Sequence, residues 1–251
     1  MPENKMIHIP APDGKRLVWY LAMEEYIGRH TGDYPNGVFF TWSVNPTVIF
    51  GRHQVMADEV DIGFCRTNGI QTYRRKSGGG CVYADRGNLM LSYIVPSTHA
   101  EQVFQQYLDD VATLLNELGL PAVKSEHNDI LVEGQKVSGN ACYALKTGTI
   151  VHGTMLYDVN FEQLQCAITP PPGKLAKHGI QSVRQRVRNL KPLLINNTTC
   201  HIESVEALAK VLYQGLCDHT SILSDEALRE IDSIEAGYLR PEFINGKESG
   251  D

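Results

Sequence analysis

No stretch of this 251-residue chain is apolar for long enough to cross a membrane or to serve as a secretory leader. Its six cysteines (Cys65, Cys81, Cys142, Cys166, Cys200, Cys217) include no C-x-x-C pair. That excludes the common zinc-binding spacings, and scattered thiols of this kind belong to a reducing compartment. Positive charge is also in short supply, with 23 Lys and Arg against 29 Asp and Glu and a net charge of −6. Duplex-binding proteins normally carry a basic face and a high pI, so nucleic acid is not an expected partner. The expectation is a soluble, cytoplasmic protein with neither a membrane nor a nucleic-acid partner.

What is present suffices for a core. Apolar residues make up 42% of the chain, and there is no internal repeat or low-complexity segment. The length fits one large domain, or one domain with a small appendage. Apolar positions Leu17, Leu21 and Ile27 recur at helical spacing and predict a helix over 15–30. Val103, Tyr107, Val111, Leu114, Leu115 and Leu118 form one stripe over 100–118, with Gly119 as the stop. Strands are expected at 37–44, 47–51, 70–74, 81–83, 88–95 and 150–159, with a hairpin over 129–139 turning at Gly134. Short helices are expected at 161–168 and 174–178 around Pro170-Pro171-Pro172, and longer ones at 203–217 and 224–235. Hairpins alternating with helices define an α+β fold, a mixed and largely antiparallel sheet flanked by helices. Residues 1–200 read as the main domain and 201–251 as a short C-terminal helical extension.

Two segments look chemical. The first, Arg74-Arg75-Lys76-Ser77-Gly78-Gly79-Gly80-Cys81-Val82-Tyr83-Ala84-Asp85, sets three cations beside three glycines. Glycine lets the backbone reach φ > 0 and approach a ligand closely, successive N–H groups in such a turn can cradle an anion, and arginine matches phosphate or carboxylate. The alternative is a tight hairpin turn with basic neighbours, and the flanking strands do suggest that these glycines join a hairpin. The second segment runs from Asn128 to Ala141. Lys136 lies between a turn and the small residues Ser138, Gly139 and Ala141, which leave space for an anion beside its ammonium. A solvated strand lysine is the plainer reading of Lys136. His152-Gly153-Thr154 follows on the next strand, where a histidine serves equally as a polar core group or as an acid–base group. A third segment, 177–190, alternates apolar and basic residues, as a charged strand edge or as a rim attracting an acidic partner.

Together these segments resemble the lipoate–protein ligase family, within the biotin/lipoate ligase and octanoyltransferase superfamily. The blocks that carry the resemblance are Pro46 to Gln54, Arg74 to Leu89, Asn128 to Ala141, His152 to Leu156 and Gly179 to Leu190. The resemblance implies a catalytic domain of the biotin/lipoate ligase type and a two-step ligase. ATP and lipoate would form lipoyl-AMP, and a lysine of an acceptor lipoyl domain (of a dehydrogenase E2 or the glycine-cleavage H protein) would then take the acyl group. By the same resemblance Lys136 is the catalytic residue, bringing the acyl carboxylate and the α-phosphate together. Arg74, Arg75, Ser77, Gly78, Gly79, Gly80, Cys81, Val82, Tyr83, Asp85 and Asn88 hold nucleotide and lipoyl-adenylate, with Asn128, Ser138, Gly139, His152 and Gly153. Asp129 holds Mg²⁺ or positions the lysine. An apolar tunnel lined by Trp42, Val44 and the strand Val48–Phe50 takes the lipoyl chain. Fuller-length family members carry an accessory domain for which this chain looks too short, so a separate accessory polypeptide is an expected partner. Cys81 stands where a small residue, often alanine, is common.

Three other readings remain open at this stage. An acyltransferase of the same superfamily would use a cysteine thioester and no ATP, with Cys142 as the suspected thiol. A non-catalytic lipoate-binding protein would keep the pocket alone. A biotin ligase is the third, although Lys136-Val137-Ser138-Gly139 resembles the lipoate branch.

Overall fold

Strands rich in β-branched and aromatic residues, buried on both faces, build the centre of this protein. The computed structural model describes residues 5–168, 186–198 and 200–246. The chain begins with β1 (Met6–His8) and α1 (Leu17–Arg29), followed by β2 (Val38–Trp42) and β3 (Thr47–Phe50). Two short helices, α2 (Met56–Glu59) and α3 (Ile62–Thr67), lead to β4 (Gln71–Arg74), β5 (Val82–Ala84) and β6 (Asn88–Val95). The long α4 (Ala100–Glu117) precedes β7 (Ala122–Lys124), β8 (Asp129–Val132), β9 (Gln135–Ala144) and β10 (Thr149–Leu156). Then come α5 (Phe161–Ala167), α6 (Lys191–Ile195), α7 (Val205–Leu216), β11 (Cys217–Thr220), α8 (Asp225–Tyr238) and α9 (Pro241–Ile244).

An eight-stranded sheet runs in the order β11-β1-β2-β6-β10-β9-β8-β7, and only its β11–β1 and β1–β2 pairs are parallel. This is the mixed, largely antiparallel α+β architecture that the sequence predicts. Alternation along β6 divides the core. Leu89, Leu91 and Tyr93 pack with α4 and α7 on one face, and Met90 and Ile94 with α1 and α8 on the other. The α4 stripe lies on the first face as expected, and Gly119 at φ 80° ends the helix.

A second sheet of three strands, β4-β3-β5, packs with α3 and α5 around Val48, Phe50 and Tyr83. Here the expected hairpin is corrected. β4 and β5 do not pair with each other; both pair with β3, which lies between them, β4 parallel and β5 antiparallel. The glycine segment therefore crosses over the end of β3 instead of closing a two-strand turn.

The C-terminal segment is built into the same body. β11 extends the large sheet by pairing with β1, and Trp19 Nε1 of α1 donates to Asp232 Oδ1 of α8 at 2.8 Å. Residue 217, expected as the last of a helix over 203–217, instead opens this edge strand, Cys217–Thr220. The helix expected at 174–178 lies outside the described residues.

Asp110 on α4 carries a testable cost. Gln106 Nε2 donates to its Oδ1 at 2.8 Å and Tyr93 Oη to its Oδ2 at 3.4 Å, yet burial dominates and raises its pKa above the usual carboxylate range. A raised acid binds its proton more tightly folded than unfolded, so its contribution to stability falls as pH rises from the ordinary carboxylate value through the raised one. Asp110→Asn is expected to raise Tm at neutral pH, and the gain should vanish in acid, where both forms are neutral. Thermal melts of the two proteins across that range check this; a gain that persists in acid would contradict the burial argument.

Candidate active site

The glycine segment takes its shape from a buried arginine, Arg75. Arg75 N donates to Phe50 O at 3.0 Å as the chain leaves β4, and Arg52 N donates to Ser77 O at 3.0 Å as it passes the end of β3. Gly79 sits at φ 89°, in the left-handed region that glycine adopts without cost. The Arg75 guanidinium fills the centre of the crossover. Its Nε donates to Ser77 Oγ (3.0 Å), Nη1 to Ile49 O (3.3 Å), and Nη2 to Gly78 O and Gly80 O (both 2.7 Å). Burial pushes this arginine down to about 10. Most of its donors thus shape the loop from inside.

From Ser77 a buried hydrogen-bond chain runs into the sheet. Ser77 Oγ lies 2.7 Å from His152 Nε2, and His152 Nδ1 lies 2.9 Å from Glu24 Oε2. Ser92 Oγ donates to Glu24 Oε1 at 2.6 Å and accepts from Trp42 Nε1 at 2.9 Å. In the tautomer that directs Nδ1–H at the Glu24 carboxylate, Nε2 accepts from the Ser77 hydroxyl. The order serine–histidine–carboxylate is that of a hydrolase triad, but the serine is buried and already accepts from Arg75, so the chain orders the loop.

The neighbouring cations turn the other way. Arg74 donates through Nε to Ile244 O (3.0 Å) and through Nη1 to Arg52 O (2.6 Å), Gln54 O (2.9 Å) and Gly51 O (3.2 Å). Lys76 Nζ reaches both oxygens of buried Glu25 at 2.8 and 2.9 Å, and Tyr238 Oη of α8 donates to Glu25 at 2.9 Å. Both cations line a cleft of 840 Å³ that also includes Phe243 and Gly246.

On the facing side the β8–β9 hairpin turns through Glu133 (φ 51°) and Gly134 (φ 77°), the pair of positive φ values that suits the twist of a two-residue hairpin loop. Lys136 follows at the start of β9. Its Nζ stands 2.8 Å from Asp129 Oδ1, a buried oxygen, and the two form an ion pair. The lysine can lie there because position 139 is glycine: a Cβ on Gly139 would fall 2.6 Å from Lys136 Nζ. Arg188 N donates to Lys136 O at 2.9 Å, so residues 186–190 of the third segment run beside this strand; the remainder, 177–185, lies outside the described residues.

Between loop and hairpin is a narrow pocket of 130 Å³. It brings together Arg75, Gly79, Gly80, Cys81, Val82, Asn128, Lys136, Gly139, His152 and Gly153. Ser77, Gly78, Ser138 and Asp129 stand behind them, on Arg75, Asn140 and Lys136. Four residues singled out in the sequence lie elsewhere. Arg74 faces the other cleft, and Tyr83 donates to Gln163 Oε1 at 2.7 Å within the small sheet's core. Asp85 closes a turn by accepting from Gly87 N and Asn160 N (both 2.9 Å), and Asn88 is buried against Tyr83 O. The apolar end of the pocket is Leu21, Trp42, Ile49 and Met90; Val44 belongs to the core behind it, and Val48 and Phe50 turn into the small sheet. Glu24, Leu21, Met90 and Asn140 were not read from the sequence. A pair of acids, Glu24-Glu25, inside an otherwise apolar helix was the available sign.

The cysteines separate cleanly. Cys81 lines the pocket, but burial pushes its thiol up to about 12, leaving it protonated and a poor nucleophile. Cys142 packs on the opposite face of the sheet, against the core that holds α4, with its pKa also raised by burial. Among the described residues no cluster of three His, Cys, Asp or Glu side chains could hold a metal by itself. Asp129 is a hard oxygen donor of the kind Mg²⁺ takes beside phosphates and water, and its Oδ1 is paired with Lys136 Nζ at 2.8 Å.

A glycine crossover facing a lysine hairpin, with an apolar end to the pocket between them, sits in a domain of the biotin/lipoate ligase fold. The chain belongs to the lipoyl protein ligase A/B catalytic domain family, whose model it matches over residues 18–212. It is 36% identical over 181 residues to lipoate-protein ligase LplJ of Bacillus subtilis, covering 71% of this chain and 54% of that protein. To lipoate–protein ligase 1 of Staphylococcus aureus it is 32% identical over 226 residues, covering 88% of this chain and 67% of that protein. The chain thus spans about half to two thirds of the length of these relatives. Among solved structures, a bi-partite lipoate protein ligase from Thermoplasma acidophilum superposes with a TM-score of 0.85 at 24% identity, covering 99% of this chain and 98% of that one.

Proposed function

We propose that this chain is a lipoate–protein ligase that activates lipoate with ATP and passes the lipoyl group to a lysine of an acceptor lipoyl domain. The observation that carries the reading is Lys136, laid over Gly139 and facing the glycine loop across a pocket with an apolar end. The lipoyl chain enters between Leu21, Trp42, Ile49 and Met90, which leaves its carboxylate beside Lys136. The ammonium then draws that carboxylate and the α-phosphate together, and a carboxylate oxygen attacks phosphorus as pyrophosphate leaves. In the second step the acceptor's ε-amine attacks the acyl carbon and AMP departs. Gly79 and Gly80 admit the nucleotide, Asn128 contacts it, and Asp129 would hold Mg²⁺, which supplies charge neutralisation on the phosphates.

The acceptor is a lipoyl domain, of a dehydrogenase E2 or the glycine-cleavage H protein. The Thermoplasma ligase is described as bi-partite and was studied with its E2 lipoyl domain. By that analogy a separate accessory polypeptide assists here, and residues 1–200 form the catalytic unit with 201–251 as its extension. No described helix is long and apolar enough to cross a membrane, and we place the reaction in the cytoplasm.

The test is pyrophosphate release by the purified protein with ATP, Mg²⁺ and lipoate. Release that requires lipoate is expected. Lipoate binding with no release at any enzyme concentration would turn the reading into a non-catalytic binder. The thioester transferase has lost its suspected nucleophile, since Cys142 faces the α4 core. Accordingly Cys142→Ala is expected to keep ATP-dependent activity within about twofold, as volume-reducing changes at half-buried sites usually do. ATP-independent transfer that this substitution abolishes would restore the transferase.

A further inference from the structure

Asn128 is held by a residue that the family-like motifs leave without a role. Asn140 lies midway along β9, opposite Gly153 of β10. Its Nδ2 and its backbone N both donate to Asn128 O at 3.0 Å, and Asn128 Nδ2 donates back to Asn140 O at 2.7 Å. Three hydrogen bonds therefore lock one residue to the other. The Asn140 carboxamide is fixed in turn from the far side of the sheet, where Tyr107 Oη of α4 donates to Oδ1 at 2.9 Å and Ser138 Oγ at 3.1 Å. Tyr107 is fully buried, and burial holds its phenol far above its usual pKa, so it stays a donor. Position 153 must be glycine for this arrangement: a Cβ there would fall 1.9 Å from Asn140 Oδ1 and 2.5 Å from Tyr107 Oη.

The segment being held has little else to fix it. Glu126 and His127 are exposed, and the turn is otherwise tied by Ser125, whose N donates to Asp129 O at 2.9 Å and whose Oγ accepts from Asp129 N at 3.1 Å. Asn128 and Lys136 share the pocket wall, and Asp129 is ion-paired to Lys136. A displacement of Asn128 is thus passed to the lysine's partner.

We propose that Asn140, backed by Tyr107, is a positioning residue that sets Asn128 and Asp129 against Lys136 at the nucleotide end of the pocket. This deepens the ligase reading and rests on it. The asparagine is specific in chemistry, since Oδ1 takes two donors while Nδ2 supplies one. Aspartate would place an acceptor against Asn128 O, and serine would not reach both Tyr107 and Asn128.

The experiment compares wild type, Tyr107→Phe, Asn140→Asp and Asn140→Ser in three readouts: KM for ATP and kcat from lipoate-dependent pyrophosphate release, lipoate affinity by calorimetry, and Tm. Tyr107→Phe keeps the buried ring and loses one hydrogen bond, so it is expected to raise KM for ATP roughly fivefold, with lipoate affinity and Tm close to wild type. Asn140→Asp and Asn140→Ser remove the side-chain donor to Asn128 O and leave it only the backbone N–H of residue 140, so they should lower kcat/KM for ATP roughly tenfold, with lipoate affinity again retained. Lower Tm with unchanged KM for ATP in all three variants would make the unit merely structural and overturn the proposal. Parallel losses in lipoate affinity and ATP KM would overturn it as well, by showing a general collapse of the pocket. A wild type that releases no pyrophosphate defeats the ligase reading itself, and the positioning role falls with it.

Discussion

Lys136→Ala is expected to lower lipoate-dependent pyrophosphate release by roughly a thousandfold, the upper range for removing one placed electrostatic donor, and to leave the fold intact. The fold survives because the side chain is 35% exposed and bridges no core elements. Among the described residues its close charge partner is Asp129, which is itself partly exposed and can be rehydrated. Activity does not survive because, among the described residues, no other cation on the pocket wall can take the lysine's place. Most donors of the Arg75 guanidinium are spent on loop carbonyls and Ser77, and Arg74 and Lys76 face the other cleft. Lys136→Arg is expected to rescue little. The amine lies over Gly139 because no Cβ obstructs it, and a planar fork is wider than an ammonium at that point. The measurement is single-turnover pyrophosphate release beside a thermal melt. Activity within tenfold of wild type in Lys136→Ala would remove the lysine from the chemistry and with it the main support of the ligase reading.

How much of this site the sequence discloses depends on whether a signal is local. The Lys136 hairpin is legible because its turn, its alternation and its small residues lie within a dozen positions. The β6 strand and α4 are legible for the same reason, and their observed limits fall within a residue of those expected. The glycine crossover is not, because β4 and β5 pair with β3 more than twenty positions upstream, and two short strands flanking glycines look like each other's partners. Glu24 and Glu25 escape notice since helical periodicity assigns acids to solvent, whereas here His152, Ser92, Lys76 and Tyr238 arrive from distant strands, loops and helices to satisfy them. β11 escapes too: Cys217-Asp218-His219-Thr220 carries no apolar alternation, and β1 recruits it as an edge. The roles of Arg74 and Arg75 show a further limit. Sequence marks them as anion ligands, and it cannot tell a guanidinium offered to a ligand from one consumed by carbonyls.

The glycines before and after the loop separate stability from activity. Neither Gly51 nor Gly87 has positive φ, so alanine at either site costs nothing in backbone conformation. The cost is close approach. A Cβ on Gly87 would lie 2.0 Å from Asp158 O and 2.8 Å from Val159 N, and Gly87 O accepts from Tyr157 N (3.1 Å) and Asp158 N (2.8 Å). That junction ties the start of β6 to the end of β10 in the middle of the large sheet, where backbone cannot yield. Gly87→Ala is therefore expected to cost about 3 kcal/mol, the heavy end of overpacking, and to lower Tm by about 10 °C in a domain of this size. A Cβ on Gly51 would lie 2.3 Å from Gly79 O, but that oxygen belongs to the glycine crossover. With glycines on both sides of Gly79, the crossover can move outward at little cost in stability. Gly51→Ala is expected to keep Tm within about 3 °C of wild type while lowering lipoate-dependent pyrophosphate release roughly a hundredfold, since a displacement of about 1 Å at a positioned ligand has that effect. The two variants thus respond in opposite order in melting and in activity. Equal losses of Tm would show that the crossover is as rigid as the sheet, and an active Gly51→Ala would show that its position does not govern the pocket.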